Sequence, residues 1–232
     1  MKNMTKFVLL ALLANAQQPA LAVSIDMALS HQQRPANDKA RDDNRKPTEI
    51  LALVDIRPGM SVVDYIAGQG YYSELFARIL DNQGVLYSVK GKLKDRELST
   101  FSNIKVTQDL LLGDIDGRVD RIFTALNYHD LINKPEIDRR QLLNRMHHQL
   151  ADGGYLIVID HNASPGHGIN DTKTKHRVES TFVLNEILAA GFELDRSLSI
   201  LANPEDNFAL DVWQDSTKGK TDRFVFRFKK KG

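Results

Sequence analysis

The stretch that decides the fold runs from Ser61 to Leu80, SVVDYIAGQGYYSELFARIL. Its opening, Ser61 to Ile66, is short, apolar and partly β-branched, and reads as a strand. Gly68-Gln69-Gly70 breaks that strand, and Tyr72, Leu75, Phe76, Ile79 and Leu80 then recur at helical spacing. Strand, glycine turn and helix in that order begin a parallel α/β unit, and ligands of such sheets gather outside the carboxyl ends of the strands. Glycine lets backbone approach a ligand closely, and the helix start offers free N–H groups to a carboxylate or phosphate. A plain tight turn between strand and helix also uses glycine, so the pattern alone supports both readings.

Downstream the alternation continues. Strands are expected at Val85 to Val89, Ile104 to Gln108, Val119 to Leu126 and Tyr155 to Ile159, the last entered through Asp152-Gly153-Gly154. A helix is expected from about Pro135 to Leu150, with Leu142, Leu143, Met146 and Leu150 inward, and another around Val178 to Leu188, closed by Gly191. Leu194 to Ile200 and Phe224 to Phe228 are strands with no helix between them. The expected fold class is therefore α/β: a doubly wound, mostly parallel sheet with an antiparallel C-terminal strand pair. The segment from Ala202 to Thr221 is long for a hairpin loop and suggests a flap.

Upstream, Lys2 and Lys6 precede an apolar run from Phe7 to Leu13 and then Ala20-Leu21-Ala22, the layout of a cleavable export signal over residues 1–22. The mature chain would start at Val23 and lie in the periplasm or outside the cell. The apolar run falls short of the roughly 20 residues a membrane span needs, so no stable membrane insertion is expected after cleavage. Residues 23–232 suit one domain, with 23–57 as its N-terminal helical segment. Within that segment Asp38, Arg41, Asp42 and Arg45 fall on one helical face, which predicts a solvated helix laced with ion pairs. Pro47 should open a short helix with Ile50, Leu51 and Val54 facing inward.

Composition narrows the chemistry. The 31 basic and 30 acidic residues leave a net charge of +1, which gives no electrostatic reason to expect nucleic acid as partner and leaves a small-molecule substrate as the expectation. There is no cysteine, which excludes disulfides, thiolate metal sites and a cysteine nucleophile. The fourth strand should end in Asn127-Tyr128-His129-Asp130, the fifth in Asp160-His161, and the next helix opens near His176-Arg177-Val178-Glu179. A lone histidine on that rim would usually be structural. Several converging from distant parts of the chain suit acid–base work, so His129, Asp130, His161 and His176 are the catalytic candidates. His147 and His148 sit at a helix end and are explained by that helix's negative terminus.

Asp64 to Gly70 resembles the first motif of class I S-adenosylmethionine-dependent methyltransferases. More specifically, the chain is similar to a group of predicted methyltransferases, many of them exported. The shared stretches are Arg45-Lys46-Pro47, Gly68-Gln69-Gly70-Tyr71-Tyr72, Asn127-Tyr128-His129-Asp130-Leu131, Asp160-His161, His176-Arg177-Val178-Glu179 and Gly219-Lys220-Thr221-Asp222-Arg223-Phe224. The resemblance implies S-adenosylmethionine as cofactor and methyl transfer as the reaction, with no metal assigned. It places Asp64, Gly68 and Gly70 at the methionine end of the cofactor, Asp109 near the adenine, and Asn127 to Asp130 beside the transferred methyl group. Ile66 stands where many members have the first glycine. Lys90 lies near the end of the second strand, where an acidic residue commonly grips the ribose hydroxyls, and a cation cannot accept those bonds.

Two other classes remain open on the residues alone. One is a metal-dependent hydrolase or metal-binding protein using His129, Asp130, Asp160, His161, His176 and Glu179. The other is a catalytically inactive binding module on the same fold. The acceptor and the oligomeric state are not legible.

Overall fold

The computed structural model describes residues 23–94 and 96–231; the expected export signal, 1–22, lies outside them. Its centre is a seven-stranded sheet built from β1 (Ser61–Asp64), β2 (Val85–Val89), β3 (Ile104–Thr107), β4 (Val119–Ala125), β5 (Leu150–His161), β6 (Phe192–Leu198) and β7 (Arg223–Lys230). The strand order is β3-β2-β1-β4-β5-β7-β6. The first five strands run parallel, and β7 inserts antiparallel between β5 and β6.

Alternate residues along each strand feed opposite cores, as the period of two requires. Val62, Phe123, Ile157 and Ile159 join Leu75, Phe76, Ile79 and Leu80 of α5 (Tyr71–Leu80) and Ile50, Leu51 and Val54 of α4 (Pro47–Val54). Val63, Tyr65, Ile122, Leu156 and Val158 join Leu142, Leu143 and Met146 of α7 (Arg139–Gln149) and Val183 and Ile187 of α8 (Ser180–Ala189). The sheet is therefore covered on both faces, the doubly wound arrangement that the alternation predicts. Because β2 and β4 lie on opposite sides of β1, the order reverses between β1 and β4, and the carboxyl ends at that switch point are where such a sheet takes its ligands.

Several boundaries differ from the sequence reading. β1 and β4 stop before Ile66 and Leu126 because both residues take left-handed backbone, with φ of +55° and +63°, which ends a ladder. Asp138 accepts a bond from the Gln141 N–H at 3.0 Å and caps α7, so this helix starts after Pro135 and not at it. A short helix not expected, α6 (Tyr128–Ile132), precedes it. Leu150 belongs to β5, and Gly153, at φ +75°, sits where the β4–β5 register shifts, so the expected turn is a bulge inside one longer strand.

The largest correction concerns the N-terminal segment. In place of one solvated helix it forms α1 (Ile25–Ser30), α2 (Ala36–Lys39) and α3 (Asp42–Arg45) before α4. Asp38 is 4% exposed, because Arg41 and Arg96 both pair with it. Arg34, equally buried, makes two bonds of 2.7 and 2.8 Å to Asp42. The charged face is folded against α5 and the loop after β2, where its ion pairs are sheltered from water. Helical spacing of charges cannot reveal this, since partners such as Arg96 lie far along the chain.

Candidate active site

The glycine turn caps the end of β1 and is tied to both neighbouring strands. Tyr65 N–H donates to Phe123 O at 2.7 Å and Ala67 N–H to Val89 O at 2.8 Å. Ile66 holds φ +55°, a conformation sterically suited to glycine and costly for a β-branched residue, so the turn keeps a glycine-like backbone with an isoleucine in it. Lys90 and Leu126, at the ends of β2 and β4, are left-handed as well, at +54° and +63°. Such strain concentrates where a functional rim is over-determined by its surroundings.

The two glycines of the turn differ. A Cβ on Gly68 would meet nothing within 4 Å, so its face is open. A Cβ on Gly70 would lie 2.2 Å from Leu93 Cδ2, the movable end of a side chain in the loop after β2, so it is the backbone φ of +77° that calls for glycine at this position. Arg96 fixes that loop by donating to Gln69 O and to Glu74, each at 2.5 Å. Asp64 is 3% exposed and accepts a 2.5 Å bond from Ser73 Oγ. Burial pushes its carboxyl up to about 6, against the pull of that bond and of nearby Arg45.

Three histidines gather at the ends of β4 and β5. The His129 ring centroid lies 6.2 Å from that of His161 and 5.6 Å from that of His176. Asp160, wholly buried, is the hub: it accepts the His129 N–H at 2.8 Å and the His161 N–H at 2.7 Å, and its oxygens lie 2.9 and 3.0 Å from His129 Nδ1. Burial opposes the imidazolium, but the Asp160 carboxylate outweighs it and raises the His129 pKa. His161 goes the other way: burial pushes it down to about 3, and its Nδ1 lies 2.7 Å from Thr221 Oγ1. Opposite shifts in adjacent imidazoles separate a proton-holding ring from a neutral one.

His176 is delivered by a different device. Val178 N–H donates to His161 O at 3.0 Å and Ala163 N–H to Val178 O at 3.1 Å, which zips the segment before α8 to the end of β5. Its Nδ1 lies 3.3 Å from Asp211 Oδ1, and its side chain is 31% exposed, so it is open to solvent where the two other histidines are buried. Asp211 comes from the expected flap. That segment has no helix or strand, yet it is packed: Arg177, fully buried, donates to Asp206 at 2.7 and 3.2 Å and to Leu210 O at 3.1 Å.

The other expected residues are placed as follows. Asn127 Nδ2 donates to Ile66 O at 3.0 Å and Ala125 O at 2.6 Å, joining the ends of β1 and β4, so the glycine turn and the histidines share one edge of the sheet. Asp130 is half-exposed, with Oδ1 3.5 Å from His129 Nε2. The Asp109 carboxylate is taken by the N–H groups of Leu111 and Gly113 in its own loop. Glu179 likewise accepts from Gly168 N–H and Thr181 Oγ1. Among the described residues no three His, Asp or Glu side chains are grouped to hold a metal ion, so the metal reading has no geometric support. A groove of about 770 Å³ lies beside β3, lined by Gln69, Leu93, Phe101 and Val106 among others, and none of the three histidines lines it. Residues that the sequence reading left without a role are Asp211, for which no signal existed, and Thr221 and Arg223, which lie in a quoted stretch.

With this geometry in view, solved structures supply the comparison. A S-adenosylmethionine-dependent methyltransferase from Aquifex aeolicus shares 17% identity over 84% of this chain and 97% of its own, with a TM-score of 0.52. A glycopeptide N-methyltransferase complexed with S-adenosylmethionine shares 13% over 83% and 87%, with a TM-score of 0.54. The chain has the methyltransferase fold. A third structure, a S-adenosylmethionine-dependent methyltransferase from Clostridium acetobutylicum ATCC 824, aligns over 84% of this chain and 92% of its own at 13% identity and a TM-score of 0.51. No family model matches the chain, and no curated protein matches its sequence. At these identities the likeness is one of fold, and function has to come from the site.

Proposed function

We propose that this chain is an exported S-adenosylmethionine-dependent methyltransferase acting on a small-molecule or envelope acceptor. One observation carries the reading: the left-handed turn at Ile66 to Gly70 stands at the sheet's switch point, on the same edge as the histidine cluster. The open face of Gly68 fits a ligand against that turn. Lys90 replaces an acceptor at the ribose position, so the fit is better at the methionine end than at the sugar. When bound, the cofactor supplies an electrophilic methyl group on a sulfonium centre.

The chain's own part is positioning and proton handling. His176, half-open to solvent and oriented by Asp211, takes the acceptor's proton. His129, whose pKa the Asp160 carboxylate raises, lies beside it, and His161, pushed down to about 3 by burial, completes a wall from which water is largely excluded. Binding and turnover separate these roles. Calorimetry should show S-adenosylhomocysteine binding below about 1 mM. His176→Ala should leave that binding unchanged and lower kcat by about 100-fold or more on any acceptor found. Absence of binding by both S-adenosylmethionine and S-adenosylhomocysteine would leave the inactive binding module as the better reading.

A further inference from the structure

Six arginines are buried among the described residues: Arg34, Arg78, Arg121, Arg177, Arg223 and Arg227. Five have a carboxylate partner, respectively Asp42, Glu74, Asp55, Asp206 and Asp195. Arg223, 8% exposed, has none among the described residues. Its single hydrogen bond is from Nη2 to Asn44 O at 2.7 Å, and its buried Nε has no partner. Asp222, whose charge acts on Arg223, and the buried acids of this edge are committed elsewhere. Asp222 accepts from Asn162 and from the Asn203 N–H, Asp160 serves His129 and two N–H groups, and Asp64 is closed off by Ser73.

Beside Asn44 stands Arg45, half-buried and also without a carboxylate among the described residues. Its guanidinium lies 4.6 Å from the Tyr71 ring centroid and 5.6 Å from that of Tyr72. The two cations are brought together by Asn44, whose carbonyl takes the Arg223 guanidinium and whose neighbour in the chain is Arg45. Arg223 pairs across β5–β7 with His161, Tyr72 feels both charges, and Asp64 feels Arg45. A buried guanidinium without a counter-ion is unfavourable, and its planar fork matches a carboxylate. Every other buried arginine in this protein obeys that rule with an internal acid.

We propose that Arg45 and Arg223 form a carboxylate-binding clamp whose counter-ion is supplied by a ligand. Two sources share this chemistry: the amino-acid end of the cofactor, which rests on the methyltransferase reading, and an acidic acceptor, which does not. Tyr71 and Tyr72 hold the Arg45 plane through their ring faces, and Asn44 O orients the Arg223 fork.

The test uses the whole protein with Arg45→Gln, Arg223→Met and Arg223→Lys, and three probes: S-adenosylhomocysteine, its decarboxylated analogue and benzoate. If the cofactor supplies the anion, Arg45→Gln and Arg223→Met each weaken S-adenosylhomocysteine by about tenfold or more and leave the decarboxylated analogue unchanged. If the acceptor supplies it, nucleoside binding is unchanged by the variants, or absent in the parent as well, while the thermal stabilisation given by benzoate is lost in both. That second pattern, with no nucleoside binding in the parent, sinks the methyltransferase reading and keeps the clamp. Without ligand, Arg223→Met should melt no lower than the parent, because it removes an uncompensated charge; Arg223→Lys should bind at an intermediate level. Arg223→Met melting well below the parent, or S-adenosylhomocysteine and benzoate both bound equally by parent and Arg45→Gln, would overturn the clamp.

Discussion

Ile66 sits at φ +55° at the tip of β1, and its replacement offers a direct measure of how much the turn demands. At most exposed or half-buried sites alanine is more stable than glycine, because glycine loses more backbone freedom on folding. Here the order should invert: Ile66→Gly should be more stable than Ile66→Ala by about 1 kcal/mol in urea unfolding, since only glycine takes this conformation without a Cβ clash. The reverse order would mean the turn relaxes around the side chain. Asp64 and His161 give a second measure. The folded Asp64 value of about 6 lies above its ordinary 3.8, so the neutral acid is favoured. Its contribution to stability is present below pH 3.8 and lost as pH rises through about 6. The melting temperature of Asp64→Asn relative to the parent should therefore climb between those values. His161 behaves oppositely: its folded value of about 3 lies below 6.5, so its contribution is present above 6.5 and lost as pH falls toward 3. His161→Gln should gain on the parent as acid is added, and a constant offset for either variant would contradict these shifts. The identities of these residues were plain in the sequence. Their environments were not, because desolvation depends on what the rest of the chain places over them.

Among the elements, the strands and the flanking helices were legible because each buries one periodic face. Boundaries shifted by a few residues where a local contact decided, as at Asp138 and Leu126. The 202–221 segment was legible only as a long irregular stretch, since its order comes from Arg177 reaching across to Asp206, Leu210 O and Asn162 O. Removing one member of that buried pair leaves the other charge unpaired. Asp206→Ala should cost about 3–5 kcal/mol, and limited proteolysis should begin within 202–221 before the sheet is attacked. Equal cleavage of parent and variant would show that the segment is held by other contacts. Because Asp211 rides on it, the same variant should also loosen His176.

For the molecule as a whole, seven strands in the order β3-β2-β1-β4-β5-β7-β6 bring the ends of β1, β4 and β5 side by side. Asn127, bridging Ile66 O and Ala125 O, is the direct witness that the turn and the histidine-bearing ends share one edge of the sheet. Among the described residues no helix is long and apolar enough to cross a membrane. The proposed export rests on the sequence of residues 1–22 and is tested on the whole protein: expressed in a bacterial host, it should be recovered outside the cytosol with Val23 as its first residue by mass spectrometry. An intact Met1 in the cytosolic fraction would withdraw the export proposal and leave the fold untouched.

The amino-acid sequence by itself determined the layers, since periods of two and of 3.6 residues state which faces must be buried, and it marked the glycine turn and the histidines through their residue types. Only the tertiary structure decided which charges are paired. Ion-pair partners are chosen by proximity in space, so the sheltering of Asp38 by Arg96, the opposite proton affinities of His129 and His161, and the isolation of Arg223 arise from residues many positions apart being folded into one low-dielectric neighbourhood.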